Sequence, residues 1–303
     1  MSSNPQARHI LILGYGEMGH AFESLLGADH HLAIWSRGRE AQGLCQLEAE
    51  VTKAEIIIFC LPVIAHESVI LRLKNAIKPG VICITIAKGL DEAGLAAYQI
   101  LQRTLPAQPV AGIYGPMIAE EIIASHPGFA QLACTDDSIK KELGRCFQHS
   151  HLFLEPGSDL IGTSWSVILK NVYALLLGMS DGLGMGDNMR GFLMVKALQE
   201  LSAIVKVMGG NANTPYDLAG LGDLVTTATS RSSHHHELGM AIGEGKDVRL
   251  GGEGVHSIKM VEKSRPFDYN SYPLFSLCVS VMQNTGQCRE YFTVYLDGLK
   301  SRI

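Results

Sequence analysis

The sequence has no basic stripe. Its 25 Lys and Arg stand against 30 Asp and Glu, a formal net charge of −5, so neither nucleic acid nor an anionic membrane surface is expected as a partner. It has no CxxC pair. The seven cysteines are scattered and odd in number, which reads as the reduced thiols of a cytoplasmic protein and excludes a disulfide frame. No apolar run approaches the length of a bilayer span, and the first one, ILILG, ends in a glycine loop where a secretory leader would carry a small-residue cleavage site. Internal repeats and low-complexity tracts are absent too. What the chain has is apolar residues, 47% of 303, enough for one large core or two ordinary ones. Its 32 glycines are dispersed among apolar runs and read as turns and close-approach positions.

The first half alternates two kinds of segment. ILILG (10–14), HLAIWS (31–36), IIIFCLP (56–62), VICITIA (81–87), PVAGIYG (109–115) and FAQLACT (129–135) are continuous apolar runs of strand length, as in strands buried on both faces of a parallel sheet. Between them lie AHESVILRLKNAI and DEAGLAAYQILQRTL, with helical spacing. This alternation predicts a doubly wound, mostly parallel α/β sheet. After LFLEPG (152–157) the pattern becomes helical over 160–185, 188–208, 214–229, 233–244 and 271–300, interrupted at Gly209–Gly210, Gly243–Gly245 and Gly251–Gly252. The expected organisation is a Rossmann domain over 1–157 and an all-helical domain over 158–303.

ILILGYGEMGHAFESLL sets Gly14, Gly16 and Gly19 in a G-x-G-x-x-G after a strand and at the start of a helix. Gly14 suits the tight turn, Gly16 admits the pyrophosphate, and Gly19 lets the helix pack on the strand, with the helix N-terminus facing the phosphates. Tyr15, Glu17 and Met18 complete the loop; the Glu17 carboxylate must point away from the pyrophosphate or weaken its binding. The tip of the second strand reads WSRGRE. Ser36, Arg37 and Arg39 come before Glu40, and arginine forks a phosphate well, so NADP(H) is favoured over NAD(H). Pro62, after the third strand, is expected to line the same coenzyme.

Two lysines read as chemistry. Lys88 ends a buried strand, and in open α/β sheets ligands bind beyond the carboxyl ends of strands. Lys170 lies inside SWSVILKNVYALLLG, an apolar segment where a lysine needs a partner or a task, because burying its charge alone is costly. Asn171 follows it. Asp223, a lone carboxylate in GLGDLVTT, could pair with such a lysine or simply cap a helix. An ammonium aimed at a carbonyl oxygen stabilises the charge that hydride transfer builds there and can donate the proton.

The elements IAKGL, YGPMIAEE, LKNVYALLLGMSDGLGMGDNMR and DLAGLGDLVTTATS, in that order, resemble bacterial NAD(P)-dependent glycerol-3-phosphate dehydrogenase, from the glycine loop to GGEGV (251–255). The resemblance implies a 6-phosphogluconate-dehydrogenase-like fold. It also implies reversible reduction of dihydroxyacetone phosphate to sn-glycerol 3-phosphate for phospholipid synthesis, and a homodimer. Position by position it makes Lys170 the active-site lysine, Asp223 its carboxylate partner, and Lys88 and Asn171 supporting groups. It puts Gly115, Met117, Thr227 and Ser233 with Lys88 at the substrate, a triose phosphate, and Ala119, Gly251, Glu253 and Lys88 at the coenzyme.

The sequence departs from that pattern in three places. SSHHHELG sets His234 and His235 where the family carries Arg and Asn, the arginine holding substrate phosphate and touching coenzyme. A neutral imidazole lacks arginine's fixed charge and fork. Three readings stand: a protonated His234 beside the phosphate, Arg231 swinging in, or a substrate without that phosphate. A metal site is disfavoured, since consecutive residues on a helix point in different directions. Met117 replaces a small hydroxyl residue, and GREAQGLCQLEAEVTKAE is shorter than the family's segment and lacks its aromatic stretch. Two alternatives therefore remain: a reductase of another keto or hydroxy acid such as ketopantoate, and a non-catalytic NADP-binding protein.

Overall fold

The computed structural model describes residues 7–230 and 233–301. The chain forms two compact units. One takes in residues up to Lys88 together with Leu95–Ser164; the other takes in Gly89–Gly94 and residues from Trp165 onward.

The first unit is built on seven strands: β1 (His9–Leu13), β2 (His31–Trp35), β3 (Ile56–Phe59), β4 (Ile82–Thr85), β5 (Val110–Tyr114), β6 (Gly128–Ala133) and β7 (Leu152–Gly157). They lie in the order β2-β1-β3-β4-β5-β6-β7. Ile10, Ile12, Ile56, Ile58, Ile82 and Ile84 point into one apolar cluster, while Leu11, Leu13, Ile57, Phe59 and Cys83 are buried on the other face. Period-two alternation with both faces apolar requires helices on both sides. These are α1 (Glu17–Leu26), α2 (Arg37–Ala41), α3 (Leu47–Val51), α4 (Val63–Leu73), α5 (Ala97–Thr104), α6 (Ala119–Ile123) and α7 (Asp137–Cys146). All pairings are parallel except β5 with β6, which is antiparallel. The strand order reverses at β1 and β3, so the loops after these two strands open the crevice where such sheets bind ligands.

The helical unit comprises α8 (Leu160–Gly182, of which the first residues belong to the first unit), α9 (Gly186–Val207), α10 (Asp223–Thr229), α11 (His234–Gly243), α12 (Glu253–Ser264), α13 (Pro273–Gln283) and α14 (Cys288–Lys300). Glu200 of α9 ties three of them together. It accepts from the Leu274 and Phe275 N–H groups at 2.7 and 3.0 Å, capping α13, and from the Tyr173 hydroxyl of α8 at 3.0 Å.

Several sequence expectations need correction. At 23 residues and mean hydropathy 1.4, α8 is long and apolar enough by length and composition to cross a bilayer, yet 94% of its apolar window is buried inside the protein. The helix expected from residue 91 starts at Ala97. An Asp91 side chain accepting from Ala93 N at 2.9 Å, and Gly94 at φ +79°, turn the preceding segment instead. The helix expected over 214–229 opens with a 3-10 turn at Thr214–Tyr216 and a π turn at Leu218–Gly222 before α10. The one expected over 271–300 is broken at Asn284. Helix α12 was not anticipated, because GGEG reads only as a breaker and not as the start of a helix.

A pattern that sequence reading passed over fixes α8 against α11. GMSDG on α8 places Gly178 and Gly182 one turn apart, and GMAIG on α11 does the same with Gly239 and Gly243. A Cβ at Gly178 would land on the carbonyl oxygen of His236, at Gly182 on that of Met240, at Gly239 on that of Leu175, and at Gly243 on that of Met179. The two backbones therefore touch, which four small residues in register permit and any side chain forbids. Gly178→Ala should cost about 1–3 kcal/mol, since the His236 carbonyl cannot yield without parting the helices. Gly191→Ala, in an exposed turn of α9 with nothing near its Cα, should gain about 0.5–1 kcal/mol. Urea unfolding of both variants measures the contrast, and equal effects would contradict it.

Candidate active site

The glycine loop is shaped as a phosphate cradle. Gly14 has φ +105°, and a Cβ there would strike the Cys60 carbonyl; one at Gly19 would strike the Gly14 carbonyl. These two glycines hold β1, the loop and α1 in close contact. Gly16 differs: a Cβ on it would meet nothing within 4 Å, and α1 starts there with no side-chain cap. An open Cα and an uncapped helix start suit a dinucleotide pyrophosphate. Glu17 is exposed and Met18 half-buried on the first turn of α1. Tyr15 donates its hydroxyl to Glu23 at 2.6 Å, a bond that raises its pKa.

The Arg39 guanidinium lies 4.9 Å from the Tyr15 ring centroid, and its Nε donates to the Ile34 carbonyl at 3.1 Å. Ser36 caps α2, accepting from Arg39 N at 3.2 Å. Arg37 is exposed. Glu40 is engaged elsewhere: both of its oxygens accept from Arg72, which holds its carboxyl below the ordinary range.

Pro62 precedes α4, and Lys88 follows β4, half-buried. A buried histidine ties these two stretches together. His66 Nδ1 lies 3.1 Å from the Pro62 carbonyl and Nε2 lies 3.3 Å from Thr85 Oγ1, while the same oxygen accepts from Ala87 N at 3.3 Å. With Nδ1–H donating to the carbonyl, Nε2 accepts from the threonine hydroxyl and the ring is neutral. Sequence reading missed His66; its position one turn into α4, facing a strand-end threonine, was the available signal.

Gly115 packs on the β6 backbone, where a Cβ would lie 2.6 Å from the Phe129 oxygen and 2.9 Å from Ala130 Cα. Met117 and Ala119 sit in the apolar cluster of the first unit.

In the helical unit three of the singled-out residues meet. Lys170 Nζ lies 3.1 Å from Asp223 Oδ1 and donates to Thr227 Oγ1 at 2.6 Å. Lys170 and Asp223 are each 4% exposed and Thr227 is 7% exposed. Asp223 and Thr227 are one turn apart on α10, so both face the lysine from one helix side. The tight π turn before them depends on Gly220, whose Cα packs against the Pro215 backbone. Asn171 is buried beside Lys170 on α8.

The histidine triplet divides. Ser233 caps α11, accepting from His236 N at 3.4 Å. His234 is exposed. His235 Nε2 accepts from Gly254 N at 3.1 Å, and His236 Nε2 lies 2.7 Å from Asp181, which also pairs with Arg190 at 2.9 Å. Arg231 lies outside the described residues. Among the described residues no three His, Cys, Asp or Glu side chains converge as a metal-ligand set. Gly251 is exposed, and Glu253 is half-buried at the start of α12.

Sequence profiles for the NAD-dependent glycerol-3-phosphate dehydrogenase N-terminus and C-terminus match residues 40–140 and 159–293. A Sphingopyxis alaskensis protein named NAD(P)+ glycerol-3-phosphate dehydrogenase 2 is 30% identical over 280 residues, covering 84% of each chain. This chain belongs to the NAD-dependent glycerol-3-phosphate dehydrogenase family. A Gloeobacter violaceus relative, also named as an NAD(P)+ glycerol-3-phosphate dehydrogenase, is 32% identical over 79% of this chain and 78% of its own. The crystal structure of the Coxiella burnetii glycerol-3-phosphate dehydrogenase superimposes with a TM-score of 0.86 at 26% identity, over 96% of this chain and 99% of that one. The family makes the chain a nicotinamide-dependent oxidoreductase acting on a CH–OH group.

Burial pushes the His66 pKa down to about 4. In the unfolded chain it titrates near about 6.5. Below that pH the unfolded state takes up a proton that the folded state refuses, so stability present above about 6.5 is lost as pH falls toward 4. Between pH 7 and 4.5 the wild type should lose about 2 kcal/mol more unfolding free energy than His66→Gln. Parallel pH profiles in urea unfolding would refute this.

Proposed function

We propose that this chain is a glycerol-3-phosphate dehydrogenase that interconverts dihydroxyacetone phosphate and sn-glycerol 3-phosphate with NADP(H) as the favoured coenzyme, in the supply of phospholipid precursors. The observation that carries the reading is the buried Lys170–Asp223–Thr227 cluster, found in a chain of this family. A cytoplasmic homodimer belongs to the same reading.

The bound dihydronicotinamide supplies the hydride. The chain's own part is electrostatic and protonic. Asp223 offsets the charge of Lys170 in a buried setting, and Thr227 takes one of its N–H bonds, so the ammonium is held in one orientation. An ammonium so held stabilises negative charge developing on a carbonyl oxygen and can pass it a proton; in the oxidative direction the neutral amine takes the proton back. Lys88 and Asn171 are assigned to polarising and orienting the substrate. Gly14, Gly16, Gly19, Pro62, Ala119, Gly251 and Glu253 are assigned to the coenzyme. Arg39, anchored beside the glycine loop while Glu40 is occupied by Arg72, supports the phosphorylated coenzyme, because no carboxylate is left at the β2 tip to accept from a ribose hydroxyl.

NADPH oxidation in the presence of dihydroxyacetone phosphate, beside a panel of unphosphorylated ketones and with NADH as the comparison, tests the reading. Turnover of the triose phosphate with NADPH preferred is the expected result; turnover of ketopantoate alone would replace it. Lys170→Ala should lower kcat by about 100- to 10,000-fold and change the coenzyme Kd by less than about two-fold. Removing one charge leaves the other buried and alone, at a cost of about 3–5 kcal/mol. The double variant Lys170→Met/Asp223→Leu removes both and should be folded but inactive. Activity surviving in either variant would reject the assignment.

The phosphate grip is the second point to test. The side chain exposed at the first turn of α11 is an imidazole, His234. His234→Arg should lower KM for dihydroxyacetone phosphate about ten-fold with kcat nearly unchanged, through the fixed charge and the bidentate fork. An unchanged KM would mean that this turn does not hold the phosphate.

A further inference from the structure

Gly254, the second residue of α12, is enclosed on three sides. Its N–H donates to His235 Nε2 at 3.1 Å. A Cβ on it would lie 2.8 Å from His235 Cδ2, 2.9 Å from the Asn171 carbonyl oxygen and 3.1 Å from Leu175 Cδ1. Helix α12 begins at Gly252 with no side-chain cap of its own. The acceptor that a Ser or Asp would ordinarily provide at a helix start is supplied here by an imidazole from another helix. A ring nitrogen that accepts carries no proton, so His235 is the neutral tautomer protonated at Nδ1.

The histidine is itself held in register. Ser233 caps its helix, His236 is bound to Asp181, and the glycines at 239 and 243 press α11 onto α8. Two glycines open the segment that His235 restrains. Gly251 has open space around it, and Gly252 sits at φ +91°, so both are residues of high backbone freedom. Moreover, the carbonyl on which Gly254 packs belongs to Asn171, the residue after Lys170. One hydrogen bond thus joins the start of α12 to α11, and the packing of Gly254 on the Asn171 carbonyl sets the same turn against the stretch of α8 that carries the buried ammonium.

We propose that His235 is a positioning residue: it pins the Gly251–Gly254 turn to α11, where Gly254 packs on the Lys170 segment of α8, and so sets the place of Glu253, and it does not itself grip substrate phosphate. The proposal rests on the reading above in which Gly251 and Glu253 contact the coenzyme. It gives the middle histidine of the triplet a task different from that of His234. It departs from the expectation that places His235 with His234 at the substrate phosphate.

Coenzyme titration followed by protein fluorescence, with wild type, His235→Phe and His235→Gln, tests it, together with steady-state kinetics at saturating coenzyme. Phe keeps the ring but removes the acceptor. It should raise the NADPH Kd about ten-fold, as expected when a buried donor loses its partner, with KM for dihydroxyacetone phosphate unchanged within about two-fold. Gln places an amide oxygen near the position of Nε2 and should restore the wild-type Kd. If the Phe variant does not fold, His235→Ala takes its place with the same expected outcomes. A lowered melting temperature with an unchanged NADPH Kd would reduce His235 to a helix cap and overturn the proposal. A raised substrate KM with an unchanged NADPH Kd would return it to the phosphate grip and overturn it equally. A wild type that binds no coenzyme would overturn the functional reading and this inference together, whereas a wild type that binds coenzyme and a Phe variant that binds it equally well would overturn the inference alone.

Discussion

A lysine ammonium in the middle of an apolar helix is the constraint around which the helical unit is arranged. Alone, Lys170 would be costly to bury. It is tolerated because α10 brings a carboxylate and a hydroxyl to it, one turn apart, at 3.1 and 2.6 Å. That arrangement places demands on the chain before α10. The π turn at Leu218–Gly222 needs a glycine at 220, where the Pro215 backbone leaves no room for a side chain. It also requires α8 to be fixed, which the paired glycines with α11 and the Glu200 bonds to Tyr173 and α13 accomplish. A buried ion pair is weak evidence for stability, since a matched apolar pair of similar volume often does as well. Folding alone therefore does not require an ion pair at this place.

The first unit follows a different logic. Its strands are apolar on both faces, which leaves little room for polar side chains except at the strand ends. Polar groups accordingly sit at the two edges: Arg8 with Glu55 and Glu142 at the amino edge, and at the carboxyl edge the glycine loop, Arg39 over Tyr15, and the His66–Thr85 contact between the segments carrying Pro62 and Lys88. A neutral buried histidine suits that last role, because it donates at one ring nitrogen and accepts at the other. Protonation would turn the second nitrogen into a donor and cost it the hydroxyl bond.

The sheet was legible because buried parallel strands write themselves as short apolar runs, and β1 to β6 fall within or beside the segments read as such. Strand β7, half-exposed over LFLEPG, was read only as the point where the pattern changes. The reversal of β6 was not legible, since direction leaves no mark on an apolar run of six residues. Helix ends were legible where glycine or proline punctuates and lost where side chains decide, as with the Asp91 turn ahead of α5. At the site, Lys170 and Asp223 stood out because charge is scarce in their surroundings. Thr227 was marked only through resemblance, because a threonine in a run of threonines carries no pattern of its own. The facing GMSDG and GMAIG segments were readable in principle: small residues four apart on two helices signal close approach, but only once the two helices are known to be partners.

The three adjacent histidines show how a helix separates neighbours. Successive side chains leave an α-helix about 100° apart, so a triplet cannot act as one patch. His234 faces solvent, His235 turns toward α12, and His236 meets Asp181. Each ring is then defined by its partner. His236 lies 2.7 Å from the Asp181 carboxylate, while His235 accepts from a backbone N–H at the ring nitrogen that carries no proton. The run that looks most like a metal motif is instead three side chains in three separate surroundings.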